Sequence, residues 1–197
     1  MQTERQAFTR ESADTRREAL IVACAQSLAG SGVQGTTVRA ICTAAGVSPG
    51  LLRHYFDGID ALIAATYRWT GDRVQKALAD AVAAAPQNPR DRLLAYLTAS
   101  FAPPIADPDL LATWLAFWAL TKTDAKIAQL HGEIYRDYRS DLEALLADYQ
   151  PGDQRLTAVA LTALVDGLWL ELSLGNAPFS RAEAGHLVER WLDALTL

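Results

Sequence analysis

Apolar residues recur at helical spacing along almost the whole chain, and no segment alternates with the period of two that is typical of a strand. Near the start, for example, Leu20, Cys24 and Leu28 are four residues apart. The interruptions carry proline or glycine, residues that end helices. The pattern predicts an all-α fold.

The positions of these breaks divide the chain into predicted helices and domains. A first helix is expected over residues 13–29, ended by Gly30-Ser31-Gly32, and the next three over residues 38–45, 49–56 and 57–85. Pro86-Gln87-Asn88-Pro89 is the clearest break. We therefore expect an N-terminal domain over residues 1–56, a connecting helix over 57–85, and a C-terminal domain over 86–197.

Charge and cysteine usage narrow the class of protein. The net charge is −5, yet the first sixty residues carry six arginines and six acids, so any contact with DNA must come from locally placed groups.

The polar N-terminus predicts no signal peptide and a cytoplasmic protein. Cys24 and Cys42 have no partner spacing for zinc and are expected in the core, and no metal or cofactor is predicted. Residues 156–174 are apolar, but Asp166 and Glu171 favour a buried helix over a membrane span.

Residues 37–56 carry the pattern of two short helices joined by a tight turn. Gly46 permits the turn, and we expect the small Ala40, Ala44 and Ala45 where the helices touch. Apolar residues are spaced to close a core over the first helix, namely Val38, Ile41, Val47, Leu52 and Phe56. An ordinary pair of packed helices is the alternative, but the spacing of the whole segment favours DNA binding.

Ser48-Pro49-Gly50 is typical of the start of a recognition helix. Ser48 can cap the helix and Pro49 suits its first position. A recognition helix enters the major groove at its N-terminal end, where a glycine lets the backbone approach DNA. Arg53 and His54 can then reach bases or phosphates, and Tyr55 offers a hydroxyl to a phosphate oxygen.

With Thr37, the run from Ile41 to Ala45, Gly46-Val47-Ser48 and His54-Tyr55-Phe56, this segment resembles the DNA-binding domain of the TetR family. The resemblance implies phosphate contacts from Thr37, Arg39 and Tyr55. It also implies base or backbone contacts from Ser48, Gly50, Leu51, Arg53 and His54. The family usually has a lysine three residues after the Phe, where this chain has Ile59, and the loss of that cation should weaken DNA binding.

Residues 110–120 are apolar all round and predict a buried central helix. Trp114, Phe117 and Trp118 share one face of this helix. An aromatic stripe in the protein core and the wall of a ligand cavity account equally well for this spacing. Further aromatics and acids on other helices favour a cavity for a cationic ligand. The predicted ligand-binding set is Tyr96, Trp114, Phe117, Trp118, Tyr135, Tyr138 and Trp169, whereas Asp166 and Glu171 are rather expected on the surface or at a subunit contact.

Residues 114–118 and 164–170 resemble the BetI-like branch of the same family. The resemblance implies a repressor that responds to a small molecule, with a choline-like, quaternary ammonium or polyamine effector. It implies that residues 1–56 form a three-helix helix-turn-helix DNA-binding domain and residues 86–197 a helical-bundle ligand-binding and dimerisation domain. A helical small-molecule-binding or scaffold protein with weak or no DNA binding is the alternative. We find no catalytic motif, so an enzyme is not expected.

The last two predicted helices, residues 153–175 and 180–195, favour a homodimer on palindromic operator DNA. The first is too apolar to be half exposed, and pairing with two-fold copies would give a four-helix interface. A self-packed monomer core is the alternative. The residues expected at the interface are Leu161, Leu168, Leu172, Val188, Trp191, Leu192 and Leu195. Such a dimer would present two recognition helices about 34–36 Å apart.

Overall fold

The computed structural model describes the backbone of residues 2–150 and 152–194, and side chains from residue 13 onward. Within these residues it is helical without strands, which confirms the predicted all-α class. A short 3-10 helix, Ala99–Phe101, follows the fifth α-helix. The α-helices are α1 Gln2–Gly35, α2 Val38–Ala44, α3 Pro49–Tyr55, α4 Gly58–Ala84, α5 Pro89–Thr98, α6 Pro108–Leu120, α7 Ala125–Tyr149, α8 Gln154–Ser173 and α9 Arg181–Ala194.

Helix α1 is longer than the sequence predicts at its N-terminal end. Its polar N-terminal turns carry no apolar periodicity, so the pattern does not reveal them. At the other end, Gly32 adopts a positive φ of 64° that kinks the helix, and one further turn continues to Gly35. Because the φ and ψ of Gly32 (64° and −171°) lie outside the helical region, the regular helix ends there as predicted, and a separate short turn follows.

The chain forms two compact units. The first runs to Trp69 and includes Ala112–Leu130, and the second comprises Thr70–Leu111 and the chain from His131 onward. Most of α6 thus groups with the N-terminal helices. The domain boundaries predicted at residues 56 and 85 remain predictions.

The first unit is held together by one buried face of α1. Leu20, Cys24 and Leu28 are at most 1% exposed, as their spacing predicts. Burial raises the pKa of the Cys24 thiol to about 11, against a hydrogen bond with Thr66 of α4. The Thr113 hydroxyl of α6 donates to the Ala25 carbonyl oxygen over 3.2 Å. Helices α4 and α6 are therefore both fastened to α1.

The second unit has its core where α9 packs against α5 and α8. Leu97, Leu161, Val188 and Leu192 are fully buried there. At the edge, Arg90 of α5 binds the carboxylates of Glu189 and Asp193 over 3.1 and 2.6 Å. Such partly exposed pairs fix orientation more than they add stability.

Helix α8 is long and apolar enough to cross a membrane by length and composition, a test that core helices of soluble proteins also pass. The predicted buried helix is only half correct. Leu161 and Val165 lie in the core, but Leu156, Val159 and, just beyond the helix, Leu174 are 53%, 45% and 60% exposed in the single chain. One face of α8 is thus left uncovered.

Candidate nucleic-acid interface and effector site

The turn between α2 and α3 is fixed by local interactions. Thr37 caps α2 by accepting a hydrogen bond from the Ala40 amide over 3.2 Å. Gly46 has a φ of 64°, the left-handed conformation that glycine adopts without steric cost. The Val47 amide then donates to the Cys42 carbonyl oxygen over 2.9 Å. These contacts set the direction in which α3 leaves the turn.

Helix α3 is anchored by one side and capped at its start. The Ser48 hydroxyl accepts from the Leu51 amide over 3.2 Å, and Pro49 fills the first helical position, both as predicted. Leu52 and Phe56 are buried at 1% and 6% exposure, and the Arg17 guanidinium of α1 lies 5.0 Å from the Phe56 ring centre. The opposite side of α3 is left facing solvent.

The packing of α2 differs from the expectation in one respect. Ile41 and Cys42 bury its inner face, as predicted, but Ala40 and Ala44 are exposed. The helix is rotated so that its β-branched side contacts α1. Ala40 and Ala44 thus do not make the expected helix–helix contact, whereas Ala45 is half-buried.

Every predicted DNA-contacting residue retains access to solvent. Leu51 and Tyr55 are half-buried, and the Tyr55 ring stands edge-on to His54 at 5.1 Å. The fully exposed members are Thr37, Arg39, Ser48, Gly50, Arg53 and His54. The solvent-facing sides of α2 and α3 thus carry two arginines, several hydroxyl groups and a bare glycine.

Two of the predicted ligand-binding aromatics form a core cluster in the first unit. The Phe117 ring stacks on Tyr67 of α4 at 4.1 Å and 13°, and Trp114 meets Tyr67 edge-on at 5.5 Å. Tyr67 and Phe117 are fully buried, while Trp118 is half-buried. Sequence reasoning missed Tyr67, although its four-residue spacing from Ile63 on α4 is a signal that could have found it.

The other predicted aromatics belong to the second unit. The rings of Tyr96 and Tyr138 are 5.3 Å apart, and the Tyr96 hydroxyl donates to the Tyr138 carbonyl oxygen over 3.0 Å. Trp169 is 6% exposed. The structure brings Tyr96 and Tyr138 together, with Tyr135 one helical turn from Tyr138 on α7.

Asp166 of α8 lies beside these tyrosines, against the expectation that it is a surface residue. Burial raises the pKa of its carboxyl to about 6, although a hydrogen bond from Tyr135 and the positive charge of Arg139 act in the opposite direction. For His131, whose ring centre is 4.3 Å from that of Tyr135, burial and the positive charge of Arg139 both lower the pKa. We call Tyr135, Tyr138, Arg139 and Asp166 the Asp166 cluster. Its aromatic faces and half-buried carboxylate attract positive charge, and the Arg139 guanidinium carbon already lies 5.8 Å from the Tyr135 ring centre.

Comparison with known proteins gives the identity of this arrangement. Residues 20–66 match the family of bacterial regulatory proteins of the tetR family, and residues 89–197 match the C-terminal domain of BetI-type transcriptional repressors. The chain belongs to the TetR family. It is 34% identical to the HTH-type transcriptional regulator BetI of Burkholderia ambifaria over 92% of its own length and 94% of that protein. This TetR-family chain is a transcriptional regulator and not an enzyme.

Solved structures agree with the fold. A transcriptional regulator from Pseudomonas aeruginosa PAO1 is 39% identical, with a TM-score of 0.84 over 92% of this chain and 90% of that one. A regulator from Saccharomonospora viridis, solved in complex with choline, has a TM-score of 0.82 over 91% and 96% of the two chains. At 16% identity, that second likeness concerns the fold alone.

The TetR-family assignment gives Gly50 a sharp test. A Cβ added there would meet nothing closer than the Ser48 hydroxyl oxygen at 3.8 Å, so the protein itself has room for a side chain. Alanine also favours a helix by about 0.5–1 kcal/mol over glycine. Gly50→Ala is therefore expected to unfold at an equal or higher urea concentration and yet to bind operator DNA more weakly. Undiminished DNA binding would place Gly50 away from the DNA backbone.

The residues predicted at a TetR-type dimer interface have mixed positions. Leu168, Leu172 and Trp191 are half-buried, and Leu195 lies outside the described residues. The other three, Leu161, Val188 and Leu192, are fully buried within the single chain. These three cannot provide a contact surface for a second copy, because their side chains are already packed between α5, α8 and α9.

Proposed function

We propose that the chain is a repressor that binds palindromic operator DNA as a homodimer in the cytoplasm and releases it on binding a small cationic effector. The observation that carries the DNA-binding part is the start of α3. A Ser48 cap fixes the helix while Gly50, Arg53 and His54 face solvent. The arginine and the histidine lie in the last turn of α3 and the bare glycine in its first turn, so one exposed helix side offers a close backbone approach and groups that can bind phosphates and base edges.

The homodimer is supported by the uncovered face of α8. Leu156, Val159 and Leu174 are exposed apolar residues on it, and Ala163 and Gly167 beside them allow another helix to come close. Soluble proteins seldom leave such a contiguous apolar face in water. TetR-family regulators usually act as dimers, and a second copy of this chain would cover the face with its own α8.

A charge in this face should separate the subunits. Val159→Glu is expected to convert a dimer into a monomer at micromolar concentration in sedimentation velocity, because a carboxylate would have to be buried against its own two-fold copy. The affinity for operator DNA should also fall, because a monomer cannot bind both half-sites at once. Ala79→Glu on α4, also exposed, is the matched control and should remain dimeric. A dimeric Val159→Glu variant would contradict this use of α8.

Control by the effector would act through α4, which begins directly after the recognition helix and continues into the second unit. A ligand that binds better to one arrangement of this helix shifts the population toward it. We propose that this changes the distance between the two recognition helices and so the affinity for operator. Ligand-saturated protein that binds operator as tightly as ligand-free protein would exclude the mechanism.

The Asp166 cluster supports a cationic effector, of which choline-like compounds, other quaternary ammonium ions and polyamines are the candidate classes. A desolvated carboxylate gains most from a positive charge, and tyrosine faces attract cations further. A fold relative was solved with choline bound, which agrees with this choice of class.

Operator binding is the experiment that tests the function. Gel shifts on the DNA upstream of the protein's own gene should show a retarded complex that salt weakens. Arg53→Ala and Tyr55→Phe should reduce binding while the protein stays folded, whereas Arg181→Ala removes an equally exposed cation from α9 and should not. Ile59→Lys should steepen the salt dependence by about one unit, with Ile59→Met as its neutral control.

A helical small-molecule-binding or scaffold protein with weak or no DNA binding is the second candidate, favoured by Ile59 at the half-buried start of α4. It predicts no salt-dependent complex with any upstream fragment, and no response of binding to Arg53→Ala. A specific complex that Arg53→Ala abolishes would rule it out.

A further inference from the structure

Arg17 is a cation of α1 that lies outside the predicted DNA-contacting residues and beside the end of α3. Its guanidinium carbon is 5.0 Å from the ring centre of Phe56, the residue that follows α3 and ends it. The Phe56 ring is buried, at 6% exposure, whereas Arg17 is exposed. The contact therefore holds a cation of the first helix on the surface at the C-terminal end of α3.

The hydrogen-bond donors of Arg17 are available to a ligand. A guanidinium carries five N–H donors, and an aromatic face leaves those at its edge in solvent. Among the side chains that the structure describes, Arg17 forms no ion pair or hydrogen bond, not even with Asp14 one turn earlier on α1. Arg17 is thus held in place on Phe56 with its donors still unused.

The junction between α3 and α4 has no cation of its own. Asp57 and Asp60 follow Phe56 and are both exposed, and Ile59 between them is uncharged. These carboxylates repel the phosphates of a duplex bound against α3. Arg17 therefore brings positive charge to a place where the residues that follow α3 supply only negative charge.

The position of Arg17 suits a phosphate rather than a base edge. Helix α3 has seven residues and is about 10 Å long, close to the width of about 12 Å of a major groove. Groups beyond its last turn therefore reach the border of the groove, which the phosphate backbone forms. Arg53 and His54 occupy that last turn, and Arg17 lies beyond them, at Phe56.

We propose that Arg17 of α1 binds a DNA phosphate at the C-terminal end of α3, with its guanidinium held on the Phe56 ring and its N–H groups donating to the phosphate oxygens. This inference rests on the proposed DNA-binding function and extends the DNA surface from α2 and α3 to α1. A guanidinium of fixed orientation can donate two parallel hydrogen bonds to one phosphate. Such a contact carries no sequence information, so it strengthens binding to any duplex.

Salt dependence measured on two duplexes tests the contact. Fluorescence anisotropy of the full chain is followed from about 50 to 200 mM salt, on the DNA upstream of the protein's own gene and on a scrambled duplex of the same length. For Arg17→Gln we expect the affinity for both duplexes to fall about ten-fold, because a hydrogen-bonded charge pair is lost. The dependence of log affinity on log salt should become shallower by about one unit for each α3 that contacts DNA.

Two further variants assign the effect to the contact at Phe56. Arg17→Lys keeps the charge without the two parallel donors, so it should retain the salt dependence and lose less affinity than Arg17→Gln. Arg16→Gln removes the neighbouring exposed cation of α1 and should leave the salt dependence nearly unchanged. All three variants should remain folded by circular dichroism, because both arginines are exposed.

A role of Arg17 in packing alone predicts a different result. If Arg17 only orients α3 through Phe56, Arg17→Gln should weaken binding to the upstream DNA more than to the scrambled duplex and leave the salt dependence unaltered, which would overturn the proposal. An equal effect of Arg16→Gln would overturn it too, since the net charge of α1 would then suffice. If the unchanged protein binds neither duplex, the DNA-binding function fails with it. A salt-dependent complex that Arg17→Gln leaves intact removes this contact alone.

Discussion

Replacing Phe117 with alanine is expected to lower the free energy of unfolding by about 3–5 kcal/mol, a large share of the stability of an ordinary domain. The side chain is fully buried and stacks on Tyr67 at 4.1 Å. Its removal would also take an aromatic neighbour away from Tyr67, which is itself at 0% exposure. The cost combines lost burial with the cavity that the rigid rings of Tyr67 and Trp114 cannot fill.

Urea unfolding at fixed protein concentration measures this loss, since a dimer's stability varies with concentration. Phe179→Ala makes the same change at a half-buried position and should cost less. The prediction also decides between two readings of the sequence. A ligand wall would tolerate the change with little loss of stability and a large loss of effector affinity, so that pair of results would contradict a core role for Phe117.

The helix-turn-helix could be predicted from the sequence because local residues determine it. Ser48 and Pro49 start a helix by hydrogen bonding and fixed backbone geometry, and Gly46 supplies a conformation that other residues disfavour. None of these effects depends on distant contacts. The rotation of α2 does depend on them, since Ala40 and Ile41 could each have faced α1, and packing decided for the larger residue.

The effector region could be predicted only in part. Trp114 and Phe117 occur at helical spacing, which is the same for a core stripe and a cavity wall, and the structure packs both against Tyr67. Asp166 was misjudged because an acid on an apolar helix is more often exposed. Its burial depends on Tyr135 and Tyr138, which precede it by about thirty residues along the chain, and no local pattern reports that proximity.

The second large effect expected is a pH-dependent gain of stability on replacing Asp166 with asparagine. In the folded protein burial holds the pKa of this carboxyl at about 6, above its ordinary value of 3.8. The folded state therefore binds the proton more tightly than the unfolded state, and this contribution is fully present below about pH 4. This stabilising contribution of the bound proton is lost as the pH rises through 6. Above that pH the ionised carboxylate destabilises the folded state by about 3 kcal/mol, because each pKa unit corresponds to about 1.36 kcal/mol. Asparagine does not ionise and escapes that cost.

Urea unfolding of both proteins from pH 4.5 to 7.5 isolates the effect as a difference. The stability of Asp166→Asn minus that of the unchanged protein should grow with pH and level off above about pH 7, by up to about 3 kcal/mol. Burial and Arg139, which lower the pKa of His131, are present in both proteins, so the contribution of His131 largely cancels in the difference. Glu171→Gln removes an exposed carboxylate from the same helix and provides the control. A difference that stays constant with pH would mean that Asp166 is solvated in the folded protein. The free energy that the ionised carboxylate costs would then not exist, and a cationic effector would have nothing to recover by binding there.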